Sequence, residues 1–189
     1  MRIVGGKFRN RAIVAPKGRS TRPTTDRTRE NIFNVLEHAD WAPAIDGARV
    51  IDLYAGSGAL GLEAMSRGAG FCLFVEMAAE ARGAIRDNID TLQLFGHTRL
   101  HRRDATALGE KPSNLGAPFD LVFLDPPYGL GLGEKTLARL VEGGWVSDTA
   151  CAVLEVGAGE EPETPGWERQ AVKEYGAAKV LFLVRDGRS

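Results

Sequence analysis

The sequence predicts an α/β fold: a mostly parallel sheet covered on both faces, with an antiparallel hairpin at its C-terminal end. Three observations carry that expectation. From residue 48 onward, short and nearly continuous apolar runs alternate with amphipathic stretches, the pattern of strands buried on both faces between helices. A glycine-rich turn, "AGSGALG" at 55–61, joins the first apolar run to the first of these helices. Two β-rich runs, 167–176 and 177–186, end the sequence with no helix between them, so they can only pair antiparallel.

The elements follow in order. Ile3-Val4 and Ala12-Ile13-Val14 flank a glycine-containing turn and read as a small hairpin. "KGRSTRPTT" at 17–25 is a basic loop. Thr24, Thr25 or Asp26 can cap the next helix, which carries Ile32, Val35, Leu36 and Ala39 on one face. Strands are expected at 48–54, 71–76, 98–105, 119–125 and 151–157, and helices at 58–68, 78–94 and 134–145. Residues 157–166 form an acidic, proline-rich loop.

A chain of 189 residues is long enough to bury a core without covalent staples. It divides by charge. Residues 1–30 hold nine basic and two acidic side chains, +7, and the remaining 159 hold 15 and 23, −8. A basic arm on an acidic body suggests a nucleic-acid contact, so residues 1–40 are expected to form a nucleic-acid-binding extension to a main domain at 41–189. Arg27 and Arg29 open a helix, where cations oppose the dipole; a phosphate partner would explain them. Cys72 and Cys151, far apart and set among apolar residues, read as reduced thiols. The longest apolar runs, such as "VLFLV" at 180–184, are too short to cross a bilayer, and a cytoplasmic protein is expected. His97 and His101 sit on a strand, where that spacing makes no chelate, and no metal is expected.

The chemistry concentrates at two stretches. Gly56, Gly58 and Gly61 have the G-x-G-x-x-G spacing, which lets the backbone turn tightly and approach a ligand at a helix N-terminus. Glu76, 20 residues after Gly56, ends the second strand and suits ribose hydroxyls. Asp104 ends the third strand and can accept from an adenine amine. These features fit any adenosine-containing cofactor. Asp52 sharpens the choice: a carboxylate four residues before Gly56 would repel a pyrophosphate but suits the ammonium of a methionine moiety, favouring S-adenosylmethionine over NAD. The second stretch is "DPPY" at 125–128. Asp125 emerges at the ligand edge of the fourth strand. Pro126 and Pro127 lack N–H donors and stiffen the loop, leaving carbonyls free to accept. Tyr128 supplies a ring for stacking. Together they suit a planar exocyclic amine.

"DLYAGSGALGLEA" with "DPPY" resembles class I, Rossmann-like S-adenosylmethionine-dependent amino-methyltransferases. The N-terminal "RIVGGKFRNRAIVAPKG" and "TRPTTDRTRENIFNVL" resemble one family in particular: the bacterial enzymes that methylate guanine N2 in small-subunit (16S) ribosomal RNA. The resemblance covers the whole chain. It implies S-adenosylmethionine around Asp52, Tyr54, Gly56, Gly58, Glu76 and Asp104, and the target amine at Asp125 to Tyr128. RNA contacts are expected from Arg2, Lys7, Arg9, Arg11, Arg22, Arg27 and Arg29, with 16S rRNA, free or in an assembling small subunit, as partner. Adenine-N6 methylation of DNA or RNA is the alternative within enzymes, because Asp at 125 does not exclude it. Glutamine methylation would leave the basic arm unexplained, and an NAD-dependent oxidoreductase would leave "DPPY" unexplained.

Overall fold

The computed structural model describes residues 1–17 and 24–187. Its centre is a seven-stranded sheet of order β3-β2-β1-β4-β5-β7-β6. The strands are β1 (Arg49–Leu53), β2 (Phe71–Val75), β3 (Thr98–His101), β4 (Phe119–Leu124), β5 (Val146–Gly157), β6 (Trp167–Tyr175) and β7 (Ala178–Arg185). β1 to β5 run parallel. β7 lies antiparallel between β5 and β6, as the closing hairpin predicted.

Among the described residues four α-helices cover it: α1 (Asp26–His38), α2 (Ala59–Ser66), α3 (Ala79–Thr91) and α4 (Leu132–Glu142). Side chains alternate across the sheet. Val50, Cys72, Phe74, Leu121 and Phe123 meet α1, α2 and α3 in one cluster, while Ile51, Leu53, Val122 and Leu124 meet α4 in the other. Ile3 and Ile13 are buried in the first cluster, so the N-terminal arm belongs to the core it leads into. Thr25 caps α1, accepting from Thr28 N, as the sequence suggested. Cys72 and Cys151 are buried free thiols. Among the described residues no helix is long and apolar enough to cross a membrane.

The expected N-terminal hairpin forms: Arg2 and Ala12 bridge antiparallel, Ile3 N donates to Arg11 O, Asn10 N to Ile3 O and Ile13 N to Met1 O, and a 3-10 turn at Gly6–Phe8 closes it. Other backbone groups of the arm turn to side chains of the body: Val4 N and Gly5 N donate to Glu63, Phe8 N to Ser66 Oγ and Val14 N to Asn88 Oδ1. Three expectations need correction. β3 stops at His101 because Asp104 caps a new 3-10 turn, Ala105–Ala107, accepting from Thr106 N. α4 ends at Glu142, where Gly144 takes a left-handed φ of 70°. β5 starts five residues before Cys151, at Val146, and its pairing with β4 shifts between Phe119 and Leu121; the half-exposed "VSDT" segment hid this strand start because it carries no apolar run.

Candidate active site

The order of the sheet reverses between β1 and β4, which are direct neighbours. Ligands of open α/β sheets collect at the carboxyl ends of strands at such a point. Six expected site residues gather on this edge by their chain positions: Asp52, Tyr54, Gly56 and Gly58 at the end of β1, Glu76 after β2, and Asp125 after β4.

The β1 turn depends on its glycines for separate reasons. Gly56 has φ +59°, and a Cβ built there meets nothing within 4 Å, so the backbone faces open space where a ligand can lie. Gly58, φ +80°, is the N-cap of α2. Gly61 is pressed onto the sheet: a Cβ would stand 2.6 Å from Phe74 and 2.7 Å from Cys72 Sγ. Tyr54 also adopts a left-handed φ, 57°. This conformation costs a non-glycine residue on the order of 1 kcal/mol. Its hydroxyl pairs with Thr136 Oγ1 on α4 at 2.7 Å.

Glu76 ties this loop to the start of α3. One carboxylate oxygen accepts from Gly56 N at 2.8 Å and the other from Ala78 N at 2.9 Å. Each oxygen keeps a second lone pair, so the carboxylate can fix the loop and still accept from a ligand hydroxyl. Asp104, exposed, accepts from Thr106 N and Thr106 Oγ1. Those two hydrogen bonds lower its pKa.

Asp52 is buried at 2% exposure, and its Oδ2 accepts from Gly61 N at 3.0 Å. Burial raises its pKa to about 8; the Gly61 bond opposes the rise and the charge of Glu76 adds to it. No Lys or Arg forms an ion pair with it among the described residues. A buried carboxyl without a cation is costly to ionise, so this position suits a ligand that brings its own positive group.

Asp125 N lies 3.4 Å from Leu53 O, which ties the "DPPY" loop to the end of β1. The Asp125 side chain is partly exposed but hemmed in by protein. Burial pushes its pKa well up, a hydrogen bond and the charge of Glu155 push it further, Asp52 adds, and a hydrogen bond with Thr24 opposes. Leu124 pairs with Leu154, so the residues one step on, Asp125 and Glu155, stand side by side. Pro126 is buried and Pro127 exposed. Tyr128 is 45% exposed, with its ring against the backbone of Gly157. Glu160 then clasps the loop, accepting from Gly129 N at 3.1 Å and Gly157 N at 2.6 Å.

Glu155, Glu160 and Thr24 are the residues that sequence reading missed. Glu160 sits in the loop read only as acidic and proline-rich, and that composition was its only signal. Glu155 and Thr24 carry no local signal; register and chain path alone bring them to Asp125.

The basic arm resolves unevenly. Arg2, Lys7, Arg9, Arg11 and Arg27 are exposed. Arg22 lies outside the described residues. Arg29 departs from the expected RNA contact: its side chain is fully buried, donating to Glu63 Oε1 (3.3 Å), Asp26 Oδ1 (2.7 Å), Thr24 O (3.2 Å) and Arg2 O. The cation at the helix start is explained by Glu63, which lies 34 residues away in sequence. Among the described residues no group of His, Cys, Asp or Glu is arranged to hold a metal ion.

The chain matches the family model described as Conserved hypothetical protein 95 over residues 1–184. Its fold superposes on the solved structure of yhhF from Escherichia coli with a TM-score of 0.85 and 36% identity, covering 100% of this chain and 99% of that one. The sheet order, the glycine turn and these neighbours define a Rossmann-like methyltransferase. "Ribosomal RNA small subunit methyltransferase D" of Escherichia coli is 40% identical over 156 residues, 82% of this chain and 74% of that protein. The protein of the same description from Haemophilus influenzae is 32% identical, covering 82% of this chain and 78% of its own length. The chain belongs to the family of Conserved hypothetical protein 95 and of these ribosomal RNA small subunit methyltransferases.

Proposed function

We propose that this enzyme transfers a methyl group from S-adenosylmethionine to the exocyclic N2 of a guanine in 16S rRNA. The observation that carries the reading is the Asp125 carboxyl, held beside the open glycine turn of β1 by the Asp125 N to Leu53 O contact. An amine acceptor held by Asp125 would then lie next to a ligand on that turn. The names of the E. coli and H. influenzae relatives support ribosomal RNA of the small subunit as the substrate class.

Bound there, the cofactor supplies an electrophilic methyl on a sulfonium. Glu76 would accept from its ribose hydroxyls and Asp104 from its adenine amine. Asp52 would take up its ammonium, and Gly56 and Gly58 would let the backbone close on it. Asp125 would accept one amine hydrogen of guanine and a loop carbonyl before Tyr128 the other. That holds the nitrogen with its lone pair toward the methyl group, so orientation and preorganised hydrogen bonding supply the rate. Tyr128 would stack on the base, which must leave its own stack to reach the site. Residues 1–40 would grip RNA phosphates through Arg2, Lys7, Arg9, Arg11, Arg22 and Arg27, and 41–189 would carry the chemistry.

The test is direct. The purified enzyme is incubated with methyl-labelled S-adenosylmethionine and either 16S rRNA or small-subunit particles from cells lacking it, and the nucleosides are resolved by mass spectrometry. N2-methylguanosine is expected. Label in N6-methyladenosine, or in no nucleoside, would overturn the reading.

A further inference from the structure

A second basic surface lies on the acidic body, away from the arm. Between α3 and the free edge of β3 runs a groove of about 430 Å³, lined by Arg82, Arg86, Arg99 and Arg102, with Ile89 and Phe95 among its apolar residues. Four guanidinium groups converge on it in a body that is −8 overall. Among the described residues none of the four takes part in an ion pair. Arg82 is held by Met77 O at 2.5 Å, whereas Arg86, Arg99 and Arg102 are exposed. The Phe95 ring is 64% exposed.

Edge-strand protection explains part of this. Charged side chains on an outer strand discourage pairing with another chain, and Arg99 can serve that end. It does not explain Arg82 and Arg86, which stand on a helix. Nor does it explain an exposed phenyl ring, which makes an edge stickier.

We infer that this groove binds a single-stranded segment of the RNA substrate, with Arg86, Arg99 and Arg102 on phosphates and Phe95 stacked on an unpaired base. The inference rests on the rRNA reading above. Guanidinium groups match phosphate oxygens as paired donors, and a solvent-facing ring offers every base a stacking surface. A duplex, whose bases are already stacked, would leave Phe95 unused. The position is also consistent. Arg102 lies two residues before Asp104, and Arg11 of the arm donates to Thr91 O at the end of α3 at 3.0 Å. A strand leaving the active site could therefore meet the groove at one end and the arm near the other.

The test uses the full chain and a labelled 12-nucleotide RNA of mixed sequence, single-stranded or annealed to its complement. A variant with Arg86→Ala, Arg99→Ala and Arg102→Ala should flatten the slope of log affinity against log salt by up to about 2 units for the single strand. Phe95→Ala should weaken single-strand binding about fivefold or more with the slope unchanged, and should leave the duplex unaffected. S-adenosylmethionine binding by calorimetry should match the parent in both variants, which reports an intact fold; Arg99→Glu supplies a single-site version if the triple variant fails that check. Parent-like affinity and slope in these variants, while Lys7→Ala and Arg9→Ala weaken binding, would overturn the groove and leave the rRNA reading standing. If the groove variants lose activity on particles but keep their affinity for the oligonucleotide, the groove meets an acidic protein surface, and the inference falls. If the parent binds neither RNA, the groove inference falls, and the rRNA reading is decided by the methylation assay on 16S rRNA and particles.

Discussion

Asp125 and Glu155 stand side by side at the carboxyl ends of adjacent parallel strands, one step beyond the Leu124–Leu154 pair. Two carboxyls this close cannot both ionise at low cost. Asp125 therefore keeps its proton to higher pH than an ordinary aspartate, through burial first and Glu155 second. An ionised Asp125 accepts the amine hydrogen more strongly than a neutral carboxyl does, so single-turnover methylation should rise with pH as Asp125 loses its proton. Glu155→Gln removes a like charge and should move that rise to lower pH. A pH–rate profile identical to the parent's would show that Glu155 does not set the state of Asp125.

Asp125→Ala should bind S-adenosylmethionine nearly normally while turnover falls by about 10²–10³, the usual cost of one preorganised polar contact. Calorimetry and single-turnover methylation separate the two effects. Near-normal turnover would remove Asp125 from the mechanism.

Asp52 links cofactor binding to stability. Its folded pKa, about 8, is raised above the unfolded value. The folded state therefore holds a proton that the unfolded chain has released, and stability falls as pH rises from about 4 to 8. Asp52→Asn keeps an acceptor for Gly61 N and removes the ionisation. It should raise stability at pH 7 by about 1–4 kcal/mol and flatten that fall, while weakening S-adenosylmethionine binding. Urea titrations at pH 5 and pH 8 read the first effect and calorimetry the second. A variant no more stable than the parent at pH 8 would contradict the raised pKa.

Glu76→Ala should weaken cofactor binding by roughly 1.5–3 kcal/mol, the range for hydrogen bonds to a charged group. Glu76→Gln should fall between, because an amide oxygen can keep one of the two backbone donors, Gly56 N or Ala78 N, but not both. Equal affinities for the three proteins would exclude Glu76 from the site.

Arg29→Ala should behave unlike its neighbours on the arm. Breaking a buried pair typically costs about 3–5 kcal/mol, so denaturant midpoints should drop sharply. The salt dependence of RNA binding should not change. Arg9→Ala should show the reverse: parent-like stability and a flatter salt slope. A flattened slope in Arg29→Ala would mean that this side chain reaches RNA after all.

Much of the sheet is legible in the sequence, because β1, β2 and β4 are short, mostly apolar runs and the turns after β1 and β4 carry glycines or Asp-Pro-Pro. The glycine turn is readable for the same reason: Gly56, Gly58 and Gly61 are needed by local backbone geometry and by close packing on Phe74. The misreadings share a cause. Arg29 reads as a phosphate contact in the sequence because the carboxylate that claims it, Glu63, lies on another helix. Glu155 looked like one acid in a buried strand, because only the β4–β5 register sets it beside Asp125. Val146 was missed as a strand start because its pairing precedes a shift in register that no periodicity shows.

Glu63 has a consequence for how this protein could be recombined. Its two oxygens hold Val4 N, Gly5 N, Arg29 and Arg67 at once, and a left-handed Gly6 lies so close to Ser66 that a Cβ there would stand 2.0 Å from the Ser66 carbonyl oxygen. The basic arm is therefore no detachable module. A chimera joined at residue 40, with the arm of a distant relative on this body, would strand a buried carboxylate in α2 and should unfold at lower denaturant than either parent. Bringing the relative's residues at positions 63, 66 and 88 along with its arm should restore it, so the natural unit of inheritance here is a set of interlocked residues that crosses the seam.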